Sequence, residues 1–469
     1  MPDCPRTLID KIWDLHVVRD LGEGWSLLHI DRHVLHDLSG PPALMEVARR
    51  ELAIANPDLT FATPDHAVSS APGRTAETFP LGGRLHQALK HFSEAAHIRF
   101  FDLGERGQGI VHVMGPELGI ALPGTTLICG DSHTCTNGGV GALAFGVGNS
   151  ESSQALATQT LRIERPRTLR ISLEGTVGPG VTPKDVILHL IRRFGTTAGV
   201  GHAIEYAGTY VDVLPIEGRL TLCNLSVEMG ARSGIIAPDE VTFDYLRGRP
   251  FAPAGEAFEA AVHHWRSLAS DPNAVFDRDL TVDVAEVVPT ITWGTSPDQS
   301  APVSGRAPDP AAIADAEVRA AAQAALDYMG LAPGQALIGT PVDWVFIGSC
   351  ANSRLSDLRE AAAFARGRHT AAGVTAWVVP GSVEVARAAE AEGLDQVFRD
   401  AGFDWREPGC SMCVAANGEQ APPGARVVST SNRNFVGRQG PGVRTHLASP
   451  ATAAASAIAG AIVDVRTMQ

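Results

Sequence analysis

From residue 313 onward the chain repeats a single pattern, a helical segment followed by a short apolar run and another helical segment. Apolar periodicity places helices over 313–329, closed by Gly330, over 355–365 and over 383–392, with strands over 343–347 and 374–379 between them. Strands separated by helices pair in parallel, because a parallel neighbour needs a crossover of a dozen or more residues. This part of the chain is therefore committed to an α/β domain with a parallel sheet. Ligands in such sheets gather beyond the C-terminal ends of the strands.

A chain of 469 residues, 44% hydrophobic, is too long for one ordinary domain. The alternating Thr168-Leu-Arg-Ile-Ser-Leu-Glu174 reads as a strand opening a second domain, and the polar, Pro-rich stretch 295–310 reads as a linker. The expected domains are 1–167, 168–294 and 311–469. With 38 basic and 52 acidic residues the formal charge is -14, which argues against non-specific binding to nucleic acid or to an anionic membrane. A small anionic substrate then needs a local basic pocket. No run of about 18 apolar residues occurs and the first ten residues lack a signal-peptide order, so a soluble, cytoplasmic protein is expected.

Seven cysteines, at 4, 129, 135, 223, 350, 410 and 413, are few and odd in number, which disfavours a disulfide framework. Cys350 follows the expected strand 343–347 and precedes a helix, where a helix N-terminus favours a thiolate. Cys410 and Cys413 form a CxxC pair in a Pro/Gly turn 60 residues later. Three sulfurs of this kind fit an iron-sulfur cluster with one iron left open to substrate; a Cys3His zinc site and buried free thiols are the alternatives. The other four cysteines have no partner at ligand spacing and are taken as structural.

Three loops carry histidine beside acid: Asp65-His66, His112 with Glu117 nearby, and Asp131-Ser132-His133. A carboxylate against an imidazole fixes its tautomer and makes a proton donor usable near neutral pH. Gly139-Val-Gly141 has a faint likeness to a dinucleotide fingerprint, but nine residues separate it from the preceding strand, so a tight helix entry is the better reading. Finally, Asn432-Arg433-Asn434 with Arg438 sets two arginines five apart in a polar loop, forked donors that match carboxylates.

Taken together, His29-Ile-Asp31-Arg32-His33, Gly-Asp131-Ser-His133-Thr, Gly-Ser-Cys350-Ala-Asn352-Ser-Arg, Pro-Gly-Cys410-Ser-Met-Cys413 and Ser-Asn432-Arg433-Asn-Phe-Val-Gly-Arg438-Gln resemble the aconitase superfamily nearly end to end, and most closely its isopropylmalate dehydratase large-subunit branch. The resemblance implies an aconitase-like fold of three α/β domains around a 4Fe-4S cluster held by Cys350, Cys410 and Cys413. It implies acid-base pairs of Asp65 with His66, Asp131 with His112, and Glu205 with His133. Asn432 is placed beside the cluster, Ser132 near a substrate carboxylate, and Arg433 and Arg438 on the carboxylates. The implied reaction interconverts 2-isopropylmalate and 3-isopropylmalate through 2-isopropylmaleate, in leucine biosynthesis.

The mobile fourth domain of the superfamily carries a Ser-Arg motif that supplies the base, and no such motif follows the Ala-rich stretch 451–460. A separate small subunit carrying that swivel domain is therefore expected, and this polypeptide alone is expected to be nearly inactive. Ala351, Val436 and the Ser382-Val383-Glu384 stretch depart from the branch's usual residues. These departures bear on substrate choice, so a paralogous dehydratase of another malate derivative is the alternative.

Overall fold

In the computed structural model, which describes residues 5–468, the chain divides into two compact units. The first gathers the chain up to Ala67, Pro80–Thr176 and Thr197–Val284; the second gathers Val68–Phe79, Val177–Thr196 and the chain from Ala285. Cys4 lies outside the described residues.

The first unit carries two parallel sheets and one antiparallel sheet. A five-stranded parallel sheet runs in the order Arg99–Phe100, Thr60–Thr63, Arg32–His36, Thr126–Cys129, Leu143–Gly146. Thr60–Thr63 and Thr126–Cys129 are buried at every position, as expected of strands covered on both faces. A four-stranded parallel sheet runs Ser233–Ile236, His202–Ala207, Arg167–Glu174, Arg278–Asp283, so the strand expected at 168–174 is present with one more residue. Val17–Gly22, Trp25–His29 and Thr160–Glu164 form the antiparallel sheet.

The second unit is built on a five-stranded parallel sheet in the order Asp404–Trp405, Thr375–Val378, Trp344–Ile347, Arg426–Ser429, Arg444–Leu447. Helices Ala316–Met329, Leu355–Ala365 and Val383–Ala391 fall where the periodicity places them, the first ending at Gly330 in the left-handed region (φ +60°). Phe346, Val379, Met412, Val427 and Val443 pack one of its cores.

The stretch 295–310 is not an unstructured linker. Ser300–Pro302 pairs antiparallel with Thr290–Thr292. A two-stranded ribbon has only edge strands, and an edge tolerates proline because its missing N–H faces outward. The compact units also group the chain differently from three consecutive domains: 68–79 and 177–196 count with the second unit.

Candidate active site

Three adjacent strands of the first unit's five-stranded sheet end in chemistry. His36 closes Arg32–His36 and Asp37 follows it, Asp65-His66 follow Thr60–Thr63, and Asp131 to His133 follow Thr126–Cys129. Parallel pairing brings all three C-terminal ends to one edge. Asp131 is the N-cap of the 3₁₀ helix Ser132–Val140, its carboxylate accepting the His133 N–H at 2.6 Å. The same carboxylate faces His66 Nε2 at 3.1 Å, His112 Nε2 at 3.0 Å and His133 Nδ1 at 3.4 Å. Burial alone pushes the Asp131 carboxyl up, but the bonds from His112, His133 and His66 outweigh it and hold it well below the usual range.

His66 also bonds Asp65 through Nδ1. Burial raises the Asp65 carboxyl, and the His66 charge and hydrogen bond more than reverse this. Both ring nitrogens of His66 thus face ionised carboxylates, which only accept, so both carry hydrogen and His66 is an imidazolium. His36 stacks on it with ring centroids 4.3 Å apart, and burial followed by the His66 charge lowers its pKa to about 4, keeping it neutral. Asp37 accepts the backbone N–H groups of His66 (3.0 Å) and Ala67 (2.9 Å). The ligand atoms of His36, Asp37, Asp65 and His66 lie within 4.8 Å of one another but are already engaged in these hydrogen bonds. Ser132 is exposed at the start of the 3₁₀ helix.

The pairing of Glu205 with His133 is corrected. His133 Nε2 bonds Glu228 at 2.9 Å, whereas Glu205 accepts the Ser270 hydroxyl on both oxygens at 2.8 Å. Glu205 points from the buried strand His202–Ala207, and burial, partly offset by Ser270, raises its pKa to about 7. Gly139 and Gly141 end the 3₁₀ helix instead of opening one: Gly141 is its left-handed cap (φ +83°), and a Cβ at Gly139 would stand 2.7 Å from the Leu220 nitrogen.

In the second unit Cys350 lies just past Trp344–Ile347 and before Leu355–Ala365, and Cys410 caps the single 3₁₀ turn Ser411–Cys413 that ends on Cys413. All three thiols are buried, with 6%, 4% and 5% exposure. Ser349 and Ser411, beside them, hold left-handed backbone (φ +78° and +48°), which costs a non-glycine residue about 1–2 kcal/mol each. Asn432 joins two of the sulfurs: its Nδ2 donates to Cys350 Sγ at 3.2 Å, and its Oδ1 lies 3.3 Å from Cys413 Sγ. Arg438 Nη2 is 4.0 Å from Cys413 Sγ, and Arg433 is half-buried beside Asn432. Of the departing residues, Ala351 is fully buried and Val436 is 58% exposed.

A family model described as Aconitase family (aconitate hydratase) matches residues 10–460. The chain belongs to the aconitase family. Within that family it is similar to the 3-isopropylmalate dehydratase large subunit 1 of Bradyrhizobium diazoefficiens, 61% identical over 464 residues that cover 99% of this chain and 97% of the relative. It is also 51% identical to the 3-isopropylmalate dehydratase large subunit of Roseiflexus castenholzii over 468 residues, 98% of this chain and 99% of the relative. Among solved structures, the holo form of aconitase X from Thermococcus kodakaraensis aligns over 91% of this chain and 89% of that one, at 12% identity and a TM-score of 0.45.

Membership of the aconitase family implies an iron-sulfur cluster, and the thiols fit one. Three thiolates on one zinc ion stand within about 4 Å of each other, given a Zn–S distance of about 2.3 Å. Among the described residues no three groups that include these sulfurs converge within 4.8 Å. Buried thiols set further apart suit a group with several metal atoms. Cys129, Cys135 and Cys223 are buried and outside any disulfide, and burial raises the thiols of Cys129 and Cys223. No described helix is long and apolar enough to cross a membrane.

Sequence reasoning missed Glu228, His36 and Asp37. Glu228 stands in the 3₁₀ turn Leu225–Met229 with no histidine near it in sequence, so only tertiary structure reveals its partner. The two glutamates should respond differently to substitution. Glu205 has a folded-state pKa above its ordinary 4.5, so the folded state loses stability as pH rises from about 4.5 through about 7. Glu205→Gln is expected to be more stable than the parent by up to about 3 kcal/mol above pH 7, the gain vanishing toward pH 4.5 in urea titrations. Glu228→Gln is expected to lower turnover; a pH-independent stability difference for Glu205→Gln would refute the assignment.

Proposed function

We propose that the chain is the large subunit of a 3-isopropylmalate dehydratase, a hydro-lyase and isomerase that interconverts 2-isopropylmalate and 3-isopropylmalate through 2-isopropylmaleate in leucine biosynthesis. The observation that carries this reading is 61% and 51% identity, over nearly the whole chain, to large subunits of that name. Cys350, Cys410 and Cys413 hold a 4Fe-4S cluster in this reading, and a small subunit carrying the swivel domain is the partner. When bound, the cluster supplies a Lewis-acid iron, without a protein ligand, for the substrate hydroxyl and carboxylate.

The chain's own residues handle protons and charge. His66, Asp131 and His112 form a chain of hydrogen bonds in which His66 holds two protons, so a proton is available to the hydroxyl as its C–O bond breaks and water leaves. His133 is oriented between Asp131 and Glu228, which fixes its ring for the same work. Arg433 and Arg438 bind the substrate carboxylates, and Ser132 offers a hydroxyl and a helix-start N–H to one of them. The base that takes the proton from carbon comes from the small subunit.

The test is anaerobic iron and sulfide reconstitution of this chain co-purified with its candidate small subunit, following alkene formation from 2-isopropylmalate and from citramalate. Turnover of isopropylmalate is expected, with both visible cluster absorbance and activity lost in Cys410→Ala. Turnover of citramalate alone would move the substrate to another malate derivative. A normal rate from the isolated large chain would remove the need for the partner.

A further inference from the structure

Lys184 is the second residue of the helix Pro183–Phe194, and its side chain is completely buried. A desolvated ammonium is expensive unless its three hydrogens find acceptors. Lys184 Nζ has three: the carbonyls of Thr430 and Ser431, each at 2.8 Å, and Asn352 Oδ1 at 3.3 Å. No carboxylate oxygen lies within 4.0 Å of it among the described residues. The nearby acids are otherwise engaged: Asp185 accepts from Thr182 and Thr290, and Asp357 accepts from Asn352 and Arg354.

The acceptors belong to the loop that carries Cys350 and to the loop that carries Asn432. Asn352 lies two residues beyond Cys350, and Thr430 and Ser431 immediately precede Asn432, whose amide touches both the Cys350 and the Cys413 sulfur. One ammonium therefore ties the Cys350 loop to the loop that carries the Asn432 bridge. The charges acting on it are, in order, those of Cys413, Asp357, Cys350 and Asp185. Burial lowers the Lys184 pKa to about 8, still above neutrality, so the group remains cationic. A methionine would fill the volume but leave these three acceptors without a donor, so packing alone does not account for a lysine here.

We propose that Lys184 is a positioning residue of the thiol site: it ties the Asn352 loop to the Thr430–Ser431 loop and offsets the negative charge of the Cys350 and Cys413 thiolates when an iron-sulfur cluster is bound. The proposal rests on the cluster reading above. A fixed buried cation beside thiolates favours the more negative, reduced cluster, because little water is present to screen it.

The experiment compares the reconstituted chain with Lys184→Met and Lys184→Gln. Glutamine keeps amide donors for the loop carbonyls without the charge, so it holds the fold while removing the electrostatic effect. Both variants are expected to shift the cluster's one-electron reduction toward the oxidised form at least tenfold, about 59 mV, by spectroelectrochemistry. Lys184→Met is also expected to lose iron to a chelator at least tenfold faster than Lys184→Gln. A Lys184→Gln chain with normal circular dichroism, a complete cluster and an unchanged potential overturns the proposal. Failure of the parent chain itself to take up a cluster would instead overturn the cofactor reading.

Discussion

Replacing Asp131 with asparagine is expected to lower kcat by about a thousandfold while leaving fold and cluster in place. Asparagine is as good an N-cap as aspartate, so the bond to the His133 N–H and the start of the Ser132–Val140 helix survive. What disappears is the charge. Asp131 is an ionised acceptor shared by His66, His112 and His133, and an amide that keeps its oxygen on the His133 N–H and His112 turns its NH2 toward His66 Nε2, which was itself donating. His66 then sits between one carboxylate and one amide, no longer needs both protons, and the proton bound for the departing hydroxyl is lost. Steady-state kinetics on the reconstituted two-subunit enzyme measure this, with the visible cluster spectrum as the control. A loss of less than tenfold would show that the histidine network is not the proton source.

Glu419→Ala is expected to destabilise the second unit by about 3–5 kcal/mol and to loosen the CxxC turn. Glu419 accepts from Ser69, Ser70, Ser411, Asn417 and Arg406, at 2.6–2.9 Å. One of these donors is the hydroxyl of Ser411, the residue held in the left-handed region between the two cysteines. Without the carboxylate, Arg406 is left as a buried charge with its ionic partner gone, and the strained serine keeps only its bond from the Ser70 hydroxyl. Burial raises the Glu419 carboxyl, and the Ser70 bond and Arg406 charge more than reverse that. Its contribution is therefore present above the ordinary glutamate pKa and fades as pH falls through the lower folded-state value. Urea unfolding at pH 7, with cluster release to a chelator, tests this; a change under 1 kcal/mol with normal retention would count against the role.

Much of this was readable in advance, for reasons visible in single elements. Apolar periodicity is a local signal, and it alone located Leu355–Ala365 to the residue and Trp344–Ile347 to within one. Cys350 was legible because a strand end is a local feature. The Glu228–His133 bond was not, since 95 residues separate the partners and a glutamate in a short turn looks like any surface acid. The pairing of Glu205 with His133 came from the resemblance alone, and the strand instead buries Glu205 against Ser270. Prolines at 302 and 308 argued for a linker, and an edge ribbon accommodated the first of them.

The way the two units share the chain sets an order of assembly. Every member of the acid-base cluster, from His36 to Glu228, has left the ribosome well before Cys350 is made. The second unit contributes only 68–79 and 177–196 to that early stretch, and both segments must wait for the chain from Ala285 before they have a sheet to join. Lys184 and Ser70 are thus synthesised long before the thiol site they support. Nascent chains fold as units from the N-terminal side, so the whole sequence of the first unit is available before that of the second. Because the units interleave along the chain, no single cut in the gene separates them into independent products.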